Sequence, residues 1–544
     1  MSLINSKSKM NQYLSFTSLL LLSGATSCGL QAPKSQKKNA ARPNILFCIA
    51  DDASYAHFSA YGCRWVNTPG FDRVAREGIL FENCYTPNAK SAPSRACVLT
   101  GLYSWQLREA GNHIPVFPAD IKVVTEVMQE NGYDVAFTGK GWAPGIAEHP
   151  NGTPRGLNGV PYQTRKTKPP VPQISNTDYA ANFKDFLDKN QGETPWFFWA
   201  GFHEPHRAYA FGSGETLGGK NTEMIDRVPA FFPDNEIVRT DMLDYAFEIE
   251  YLDLHITAML NELEKRGMLD NTIIIITSDN GMPFPRGKAN NYEISNHMPL
   301  AVMWRNGITN PGRKVTDYIN FVDFTPTFLD VSQIDPVSHG MQQPAGKSLN
   351  EIFRNGKSGT ATKDRAFTLL GRERHDYGRP GNQGYPIRAI IRDSLLYIAN
   401  LKPYLMPGGN PETGYLDCDG SPVKTEILNM RREGRNVWYW QLSFGLRPEE
   451  ELYHLSIDRD CILNLADKPV YNRQKMKMRE ELFAMLRQQG DPRMLGNGDV
   501  FDRYPFNQDR AWNFWERVQS GEITEPWKQT GWVNATDYEQ YEKP

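Results

Sequence analysis

The chain of 544 residues lacks several features that would decide its class at once. It has no CxxC pair and no cysteine–histidine cluster with metal-ligand spacing, so its seven cysteines do not indicate a zinc site. Its net charge of −3 predicts no nucleic-acid partner and no acidic membrane partner. The apolar run Leu14–Leu22 is too short to cross a bilayer as a helix. What is left is the composition of an ordinary globular protein.

The N-terminal segment has the order of features that is typical of an export signal. Lys7 and Lys9 precede the apolar run, and the small residues of "SGATS" follow it, directly before Cys28. This order predicts a secretory signal over residues 1–28 and a solvated tether over residues 29–42. Cys28 also resembles a bacterial lipoprotein site. The sequence therefore predicts export to the periplasm, either free or lipid-anchored through Cys28.

Helical patterns alternate along the chain with four apolar runs that end abruptly in polar residues. The runs are the first parts of "NILFCIADD", "YDVAFTGKG", "WFFWAGFHEPHR" and "TIIIITSDNG". The polar residues that follow them are Asp51 and Asp52, then Lys140, then His203 and His206, then Asp279 and Asn280. Such runs are typical of buried parallel strands, whose carboxyl ends border the ligand crevice of a sheet. The sequence therefore predicts an α/β domain with a large, mostly parallel sheet flanked by helices.

The long alternating strand and helix patterns end at about residue 370. Shorter strand patterns and Gly/Pro loops precede "EELYHLSIDRDCILNLA" and a helix near residues 470–488. We therefore predict a catalytic α/β domain over residues 43–370 and a smaller C-terminal α+β subdomain over residues 371–500. Residues 501–544, which are rich in Trp and Tyr, are predicted to form an irregular extension.

Four of the strand-end residues predict a metal site. Asp51, Asp52, Asp279 and Asn280 offer only oxygen ligands. Hard cations such as Ca²⁺ and Mg²⁺ prefer oxygen, and the absence of Cys and His from this set argues against zinc. No calcium loop of the DxDxDG type is present, so the site has to be assembled from distant segments.

The stretch "SAPSRACVLTG", Ser91–Gly101, is the most specific motif in the chain. It resembles the signature of the type I sulfatases, in which a Cys or Ser at the first position is oxidised to formylglycine. The resemblance implies the alkaline-phosphatase-like sulfatase fold and the conversion of Ser91 to 3-oxoalanine (formylglycine) by a generating enzyme of the serine type. It also implies that the modified Ser91 joins the four oxygen ligands around Ca²⁺, with Mg²⁺ as the alternative.

The same resemblance implies roles for the other polar residues. A hydrated aldehyde at Ser91 has one hydroxyl to attack sulfur and a second to expel sulfate afterwards. Arg95 would hold this diol and the metal-site carboxylates. Lys140 and Lys288 would neutralise sulfate oxygens, and His206 would protonate the leaving group. The candidate substrate contacts are His203, His113, His297 and Trp142, the last of which stands where the family usually has a histidine.

Two further segments bear on the substrate. "GFHEPHR" and "TSDNGMPFPRGK" resemble FHDPHR and TSDNGIPFPSGR of the N-sulfoglucosamine sulfohydrolase branch. This resemblance implies a sulfated saccharide substrate and hydrolysis of the N-sulfate of glucosamine in heparin or heparan sulfate. Three alternatives stay open: an O-sulfatase acting on a 6-O or 3-O sulfated amino sugar, a phosphoester or phosphonate hydrolase that uses unmodified Ser91, and a non-catalytic binder of sulfated glycans.

Overall fold

Strands and α-helices alternate over residues 42–539, the part of the chain that a computed structural model describes. Residues 42–539 lie in one compact unit. The predicted signal over residues 1–28, with Cys28, and the predicted tether up to residue 41 lie outside the described residues. Among the helices of residues 42–539, none is long and apolar enough to cross a membrane.

The strands belong to four sheets. In chain order they are β1 Asn44–Ala50, β2 Ile79–Phe81, β3 Cys84–Tyr85, β4 Val116–Phe117, β5 Asp134–Gly139, β6 Ile146–Ala147, β7 Val160–Pro161, β8 Trp196–Gly201, β9 Thr272–Ser278, β10 His297–Met298, β11 Leu300–Met303, β12 Arg313–Val315, β13 Ile319–Asn320, β14 Phe367–Arg372, β15 Ile387–Arg392, β16 Leu395–Asn400 and β17 Glu450–His454.

The α-helices cover the sheets and connect their strands. In chain order they are α1 Pro69–Glu77, α2 Ser91–Thr100, α3 Val124–Glu130, α4 Tyr179–Asn190, α5 Ser213–Thr216, α6 Glu236–Lys265, α7 Glu293–Asn296, α8 Phe324–Val331, α9 Asn350–Asn355, α10 Pro422–Arg432, α11 Trp438–Ser443, α12 Asn472–Gln488, α13 Val500–Arg503 and α14 Phe514–Gln519.

The largest sheet has eight strands in the order β12-β2-β11-β9-β1-β8-β5-β7. The four central neighbours β9, β1, β8 and β5 run parallel, and they are the four strands that the apolar runs predict. Ala50 lies opposite Ser278, and Ile49 lies opposite Gly201. The carboxyl ends of these strands therefore finish at one edge, as the predicted mostly parallel sheet requires.

The central strand β1 is buried on both faces. Ile45, Phe47 and Ile49 pack into one apolar cluster, while Leu46 and Cys48 pack into a second cluster on the other face. Because helices cover both sides of the sheet, the strand carries no polar alternation in its sequence. Cys48 packs as a buried apolar side chain, and the six cysteines within residues 42–539 are all free thiols.

Helix α2 carries the Ser-x-Pro-x-Arg motif, and all ten of its residues are buried. Pro93 lies in the first turn, where its missing N–H would have no partner within the helix. Gly101 ends the helix with a φ of 69° and donates its N–H to the carbonyl of Cys97 at 2.9 Å. This left-handed cap explains the glycine that closes the motif.

The C-terminal part is built on the antiparallel sheet β14-β15-β16-β17. The sheet starts at Phe367, so the predicted boundary at residue 370 falls inside β14. Residues 501–539 are more regular than predicted, since they include the last part of α13 and helix α14. Phe506 and Phe514 share an apolar cluster with Ile114, which connects this segment to the N-terminal part of the fold.

Candidate active site

Two neighbouring strands bring the oxygen-bearing residues together. Asp51 and Asp52 follow β1, while Asp279 and Asn280 follow β9. The Asp52 N–H donates to Asp279 Oδ1 at 3.0 Å, and Asn280 Nδ2 donates to Asp52 Oδ1 at 2.6 Å. Asp52 has a left-handed backbone with a φ of 78°, a conformation that aspartate adopts more readily than most residues. All four side chains are fully buried.

Helix α2 places Ser91 directly against this carboxylate group. Ser91 is the first residue of the helix and is 1% exposed. Its Oγ donates to Asp51 Oδ1 at 3.0 Å. Lys140, which follows β5, donates from Nζ to Asp51 Oδ2 at 2.5 Å and to Ser91 Oγ at 3.2 Å. A hydroxyl on residue 91 is thus held between a carboxylate and an ammonium group.

Arg95 lies one turn further along α2 and connects the helix to both strand ends. Its Nε donates to Asp279 Oδ2 at 2.8 Å, and its Nη1 donates to the carbonyl of Lys140 at 2.8 Å. Its Nη2 lies 3.7 Å from Asp51 Oδ1. Because the side chain is fully buried, its charge depends on these two carboxylates, and removing both would leave it uncompensated in the core.

Lys288 pairs with Asp52, the second carboxylate after β1. Its Nζ donates to Asp52 Oδ2 at 2.7 Å and to Asp419 Oδ2 at 3.0 Å. Burial lowers the pKa of Lys288, but the Asp419 and Asp52 charges outweigh burial and hold this pKa well above its ordinary value. The lysine therefore stays positively charged at neutral pH.

The carboxylates fit a divalent cation. One oxygen from each of Asp51, Asp52 and Asp279 lies within 4.8 Å of the other two. Burial, and after it the Asp51 charge, raises the pKa of Asp279 to about 6. Asn280 Oδ1 is buried, and within residues 42–539 it has no hydrogen-bond partner. Oxygen-only donors of this kind match Ca²⁺ or Mg²⁺.

Two histidines, His203 and His206, follow β8. His206 hydrogen-bonds through Nδ1 to the carbonyl of Arg207 at 2.7 Å, so Nδ1 carries a proton. Its Nε2 lies 3.8 Å from Asp52 Oδ2. Burial lowers the pKa of His203 to about 4, so this ring is neutral at neutral pH. His206, which is one-third exposed, is the better placed of the two to exchange a proton with a ligand.

A cavity of about 620 Å³ opens above Ser91. The residues that the sequence predicts and that line it are Asp51, Ser91, His113, Lys140, His203, His206 and Lys288. The lining residues that the sequence analysis did not single out include Lys90, Asp376, Asp419, Gln508, Arg510 and Trp532. The cavity is therefore shared between the strand ends and the C-terminal part of the chain.

His113 belongs to a buried ionic network that the sequence analysis missed. Its Nδ1 lies 3.1 Å from Asp376 Oδ1, and Lys90 Nζ lies 2.6 Å from Asp376 Oδ2. Burial lowers the pKa of His113 to about 4, although the Asp376 charge opposes this change. One signal for Asp376 was available, because a run of charged residues follows the apolar strand β14 just as Asp51 follows β1.

Two predicted substrate contacts lie elsewhere. Trp142 is 9% exposed, donates from Nε1 to the carbonyl of Ala92 at 3.0 Å and packs edge-on against Phe117. The indole therefore hydrogen-bonds to the backbone of α2 and does not line the cavity above Ser91. His297 stacks on the rings of Tyr55 and Tyr85 beside a different cavity of about 470 Å³. Neither ring is brought to the group around Ser91.

The sequence profile of the Sulfatase family matches residues 43–334, which include every strand end of the site. The chain belongs to the sulfatase family. It is therefore a hydrolase, and the resemblance to type I sulfatases is confirmed.

Relatives and solved structures agree with this assignment. The human N-sulphoglucosamine sulphohydrolase is 26% identical over 476 residues, which cover 83% of this chain and 91% of that protein. The N-acetylglucosamine-6-O-sulfatase of Bacteroides thetaiotaomicron is 28% identical over 436 residues, or 62% of this chain and 75% of that protein. A solved complex with D-glucosamine-2-N,6-O-disulfate as its substrate superposes with a TM-score of 0.60 at 21% identity, covering 83% of this chain and 98% of that one. The alkaline-phosphatase-like sulfatase fold is confirmed.

Proposed function

We propose that this sulfatase is exported and hydrolyses the N-sulfate of glucosamine in heparin- or heparan-sulfate-type saccharides. The observation that carries the proposal is the position of Ser91 Oγ, held between Asp51 and Lys140 at the floor of the cavity. Oxidation of Ser91 to formylglycine by a serine-type generating enzyme and binding of Ca²⁺ by the oxygen cluster belong to the proposal. The substrate is supported by the human N-sulphoglucosamine relative and the two segments that resemble its branch.

The charges around Ser91 fit a sulfate group. A divalent cation held by the oxygen cluster would lower the pKa of a hydroxyl on residue 91 and hold sulfate oxygens. Lys140 places an ammonium group 3.2 Å from Ser91 Oγ, and Lys288 places a second one on the neighbouring Asp52. Arg95 keeps the carboxylate of Asp279 and the backbone of Lys140 in fixed positions. These donors are fixed before the substrate arrives, so little reorganisation is needed as charge develops.

His206 is the group that completes the cleavage of a sulfamate. When a hydroxyl oxygen of residue 91 bonds to sulfur, the S–N bond breaks and its electron pair goes to nitrogen. An amide anion is a poor leaving group, so the nitrogen needs a proton. Nδ1 of His206 is occupied by the carbonyl of Arg207, which leaves Nε2 as the atom that delivers this proton.

Cellular location is part of the proposal. The order of Lys7, Lys9, the apolar run and Cys28 supports export to the periplasm, with lipid anchoring through Cys28 as a further step. Labelling with a radioactive fatty acid in a bacterial host tests the anchor. Loss of the label in a Cys28→Ser variant is the expected result, and an unlabelled wild-type protein would restrict the proposal to export.

The deciding experiment uses protein that is co-expressed with a serine-type generating enzyme. A Ser91 peptide two hydrogens lighter establishes maturation. The mature protein is then given Ca²⁺ and N-, 6-O- or 3-O-sulfated glucosamine, and released sulfate and free amine are measured together. We expect equal amounts of sulfate and amine from the N-sulfated sugar. Mature protein that releases no sulfate from any of the three would refute the proposal.

An O-sulfatase is the second candidate, and the 28% identity with a 6-O-sulfatase favours it. The same measurement separates the two, because an O-sulfatase releases sulfate without free amine. Mature enzyme that acts only on the 6-O or 3-O sulfated sugar would replace the first candidate by the second.

A further inference from the structure

The Lys and Arg side chains that line the cavity differ in whether a carboxylate neutralises them. Four of the five Lys and Arg side chains are already paired with carboxylates: Lys90 with Asp376, Lys140 with Asp51, Lys288 with Asp52 and Asp419, and Arg207 with Asp241. Arg510 has no carboxylate within 4.0 Å among residues 42–539. Its Nε donates to the side chain of Gln508 at 2.9 Å, and the guanidinium is otherwise exposed.

An unpaired guanidinium in a cavity for an anionic sugar can bind an anionic group of that sugar. The planar fork of arginine matches both carboxylate and sulfate and binds either with two parallel hydrogen bonds. Since the sulfate that is cleaved lies against Lys140 and Lys288 in the proposed reaction, Arg510 is free to bind a different anionic group of the same saccharide.

The segment around Arg510 is held firmly enough to present it. Ala511 next to it is fully buried in the apolar cluster that contains Phe506 and Phe514. Trp532, which also lines the cavity, donates from Nε1 to the carbonyl of Leu416 at 2.9 Å and packs edge-on against Tyr377. Gln508, Arg510 and Trp532 therefore form one wall of the cavity, the C-terminal wall, which carries one charged and one aromatic side chain.

We propose that Arg510 binds a second anionic group of the substrate, one that the reaction leaves intact. The group is either a further sulfate on the same glucosamine or the carboxylate of an adjoining uronic acid, and Trp532 packs against the sugar that carries it. The inference rests on the proposed function, because it concerns the same substrate in the same cavity. It makes a doubly anionic saccharide the preferred substrate.

The test compares Arg510→Gln with Arg503→Gln, an exposed arginine of the same segment that does not line the cavity. Each variant is assayed on N-sulfated glucosamine, on N,6-O-disulfated glucosamine and on N-sulfated glucosamine joined to a uronic acid. We expect Arg510→Gln to raise KM about tenfold for one of the doubly anionic substrates, with kcat and the singly sulfated sugar unchanged. The affected substrate identifies the source of the group. Equal changes on all three substrates, or no change on any, would overturn the inference.

A binding measurement keeps this test separate from the proposed reaction. The Ser91→Ala protein cannot turn the saccharides over, so titration calorimetry with the same three sugars reports affinity alone. Adding Arg510→Gln to that protein should weaken binding of one doubly anionic sugar about tenfold. If that loss appears while the mature enzyme releases no sulfate, only the proposed function fails. If affinities for all three sugars stay the same, the inference about Arg510 fails.

Discussion

The two ends of the cavity are built in opposite ways. The reaction end consists of Asp51, Asp52, Ser91, Asp279 and Asn280, none of which is more than 1% exposed. The C-terminal wall consists of Gln508, Arg510 and Trp532, which are exposed or half-buried. Buried polar groups have to be paired or bound to a ligand, so the fold itself fixes the reaction end. The side chains of the wall can hydrogen-bond to water instead, so their identity is not fixed by the fold and can suit a particular ligand.

The ionic network of Lys90, His113 and Asp376 lies between these ends. Lys90 adjoins Ser91 in the chain, and Asp376 adjoins Tyr377, whose ring packs against Trp532. The network is buried like the reaction end, yet none of its three members belongs to the motif Ser91–Gly101. The network therefore links the two ends of the cavity, because Lys90 is bonded to Ser91 and Asp376 is bonded to Tyr377, which contacts Trp532.

The largest effect is expected at the reaction end from Ser91→Ala. Turnover should fall by on the order of 10⁵-fold or more, because the attacking group is lost. Thermal unfolding and saccharide binding should stay close to wild type, since the side chain that is removed is small. Sulfate release and calorimetry measure the two properties. Residual turnover above about one per cent of wild type would contradict a nucleophilic role for residue 91.

His206→Gln should show the next largest effect and should depend on the leaving group. The rate on a sulfamate should fall about 10²–10⁴-fold, because the nitrogen has to be protonated. An activated aryl sulfate, whose leaving group needs no proton, should lose much less. His203→Gln is the matched control from the same loop. Equal losses on both substrates would remove His206 from the role of acid.

Ca²⁺ should stabilise the reaction end and leave the wall unaffected. At a concentration of 100 times Kd, a bound ion adds about 2.7 kcal/mol to the free energy of unfolding. Thermal unfolding with added Ca²⁺, or with Mg²⁺ for comparison, measures this gain. Asn280→Ala should reduce it and Arg510→Gln should not. If neither ion raises the unfolding temperature, the oxygen cluster is not a metal site.

The smallest effect concerns the network between the two ends. The pKa of His113 is about 4 in the fold, whereas an unfolded histidine has an ordinary pKa near 6.5. The unfolded chain therefore binds this proton first, and the stability that neutral His113 contributes is complete above pH 6.5 and is lost as the pH falls toward 4. Between pH 6.5 and pH 5 this loss is about 2 kcal/mol.

His113→Gln should remove that part of the pH dependence, because glutamine does not titrate and can still hydrogen-bond to Asp376. Denaturant unfolding at pH 6.5 and pH 5 measures the change, with the exposed His149→Gln as the control. The same pH dependence in wild type and in His113→Gln would show that other groups cause it.

The reaction end could be predicted from the sequence because its residues follow buried strands. An apolar run that stops at Asp51 or Asp279 marks both the strand and the edge where its polar residue lies. Parallel pairing of adjacent strands then brings residues 228 positions apart into contact, as it does for Asp52 and Asn280. The family motif added Ser91, whose Oγ lies 3.0 Å from Asp51 Oδ1.

The wall and two of the ring contacts could not be predicted in this way. Trp142 stands beside Lys140 in the sequence, but its indole N–H pairs with α2, and no local pattern encodes that orientation. Arg510 lies in a segment without a periodic pattern, and its place in the cavity depends on a cluster that includes Ile114, almost 400 residues away. Tertiary packing decides both positions.

The backbone torsion at Asp52 allows two consecutive carboxylates, Asp51 and Asp52, to lie in the same cluster. Consecutive residues of a regular strand point to opposite faces, so an extended Asp52 would aim its carboxylate away from that of Asp51. The φ of 78° at Asp52 breaks this alternation just beyond Ala50, where β1 ends. The oxygen cluster therefore depends on the course of the main chain as well as on the side chains, and a change that straightens residue 52 would separate the carboxylates of Asp51 and Asp52 without removing either of them.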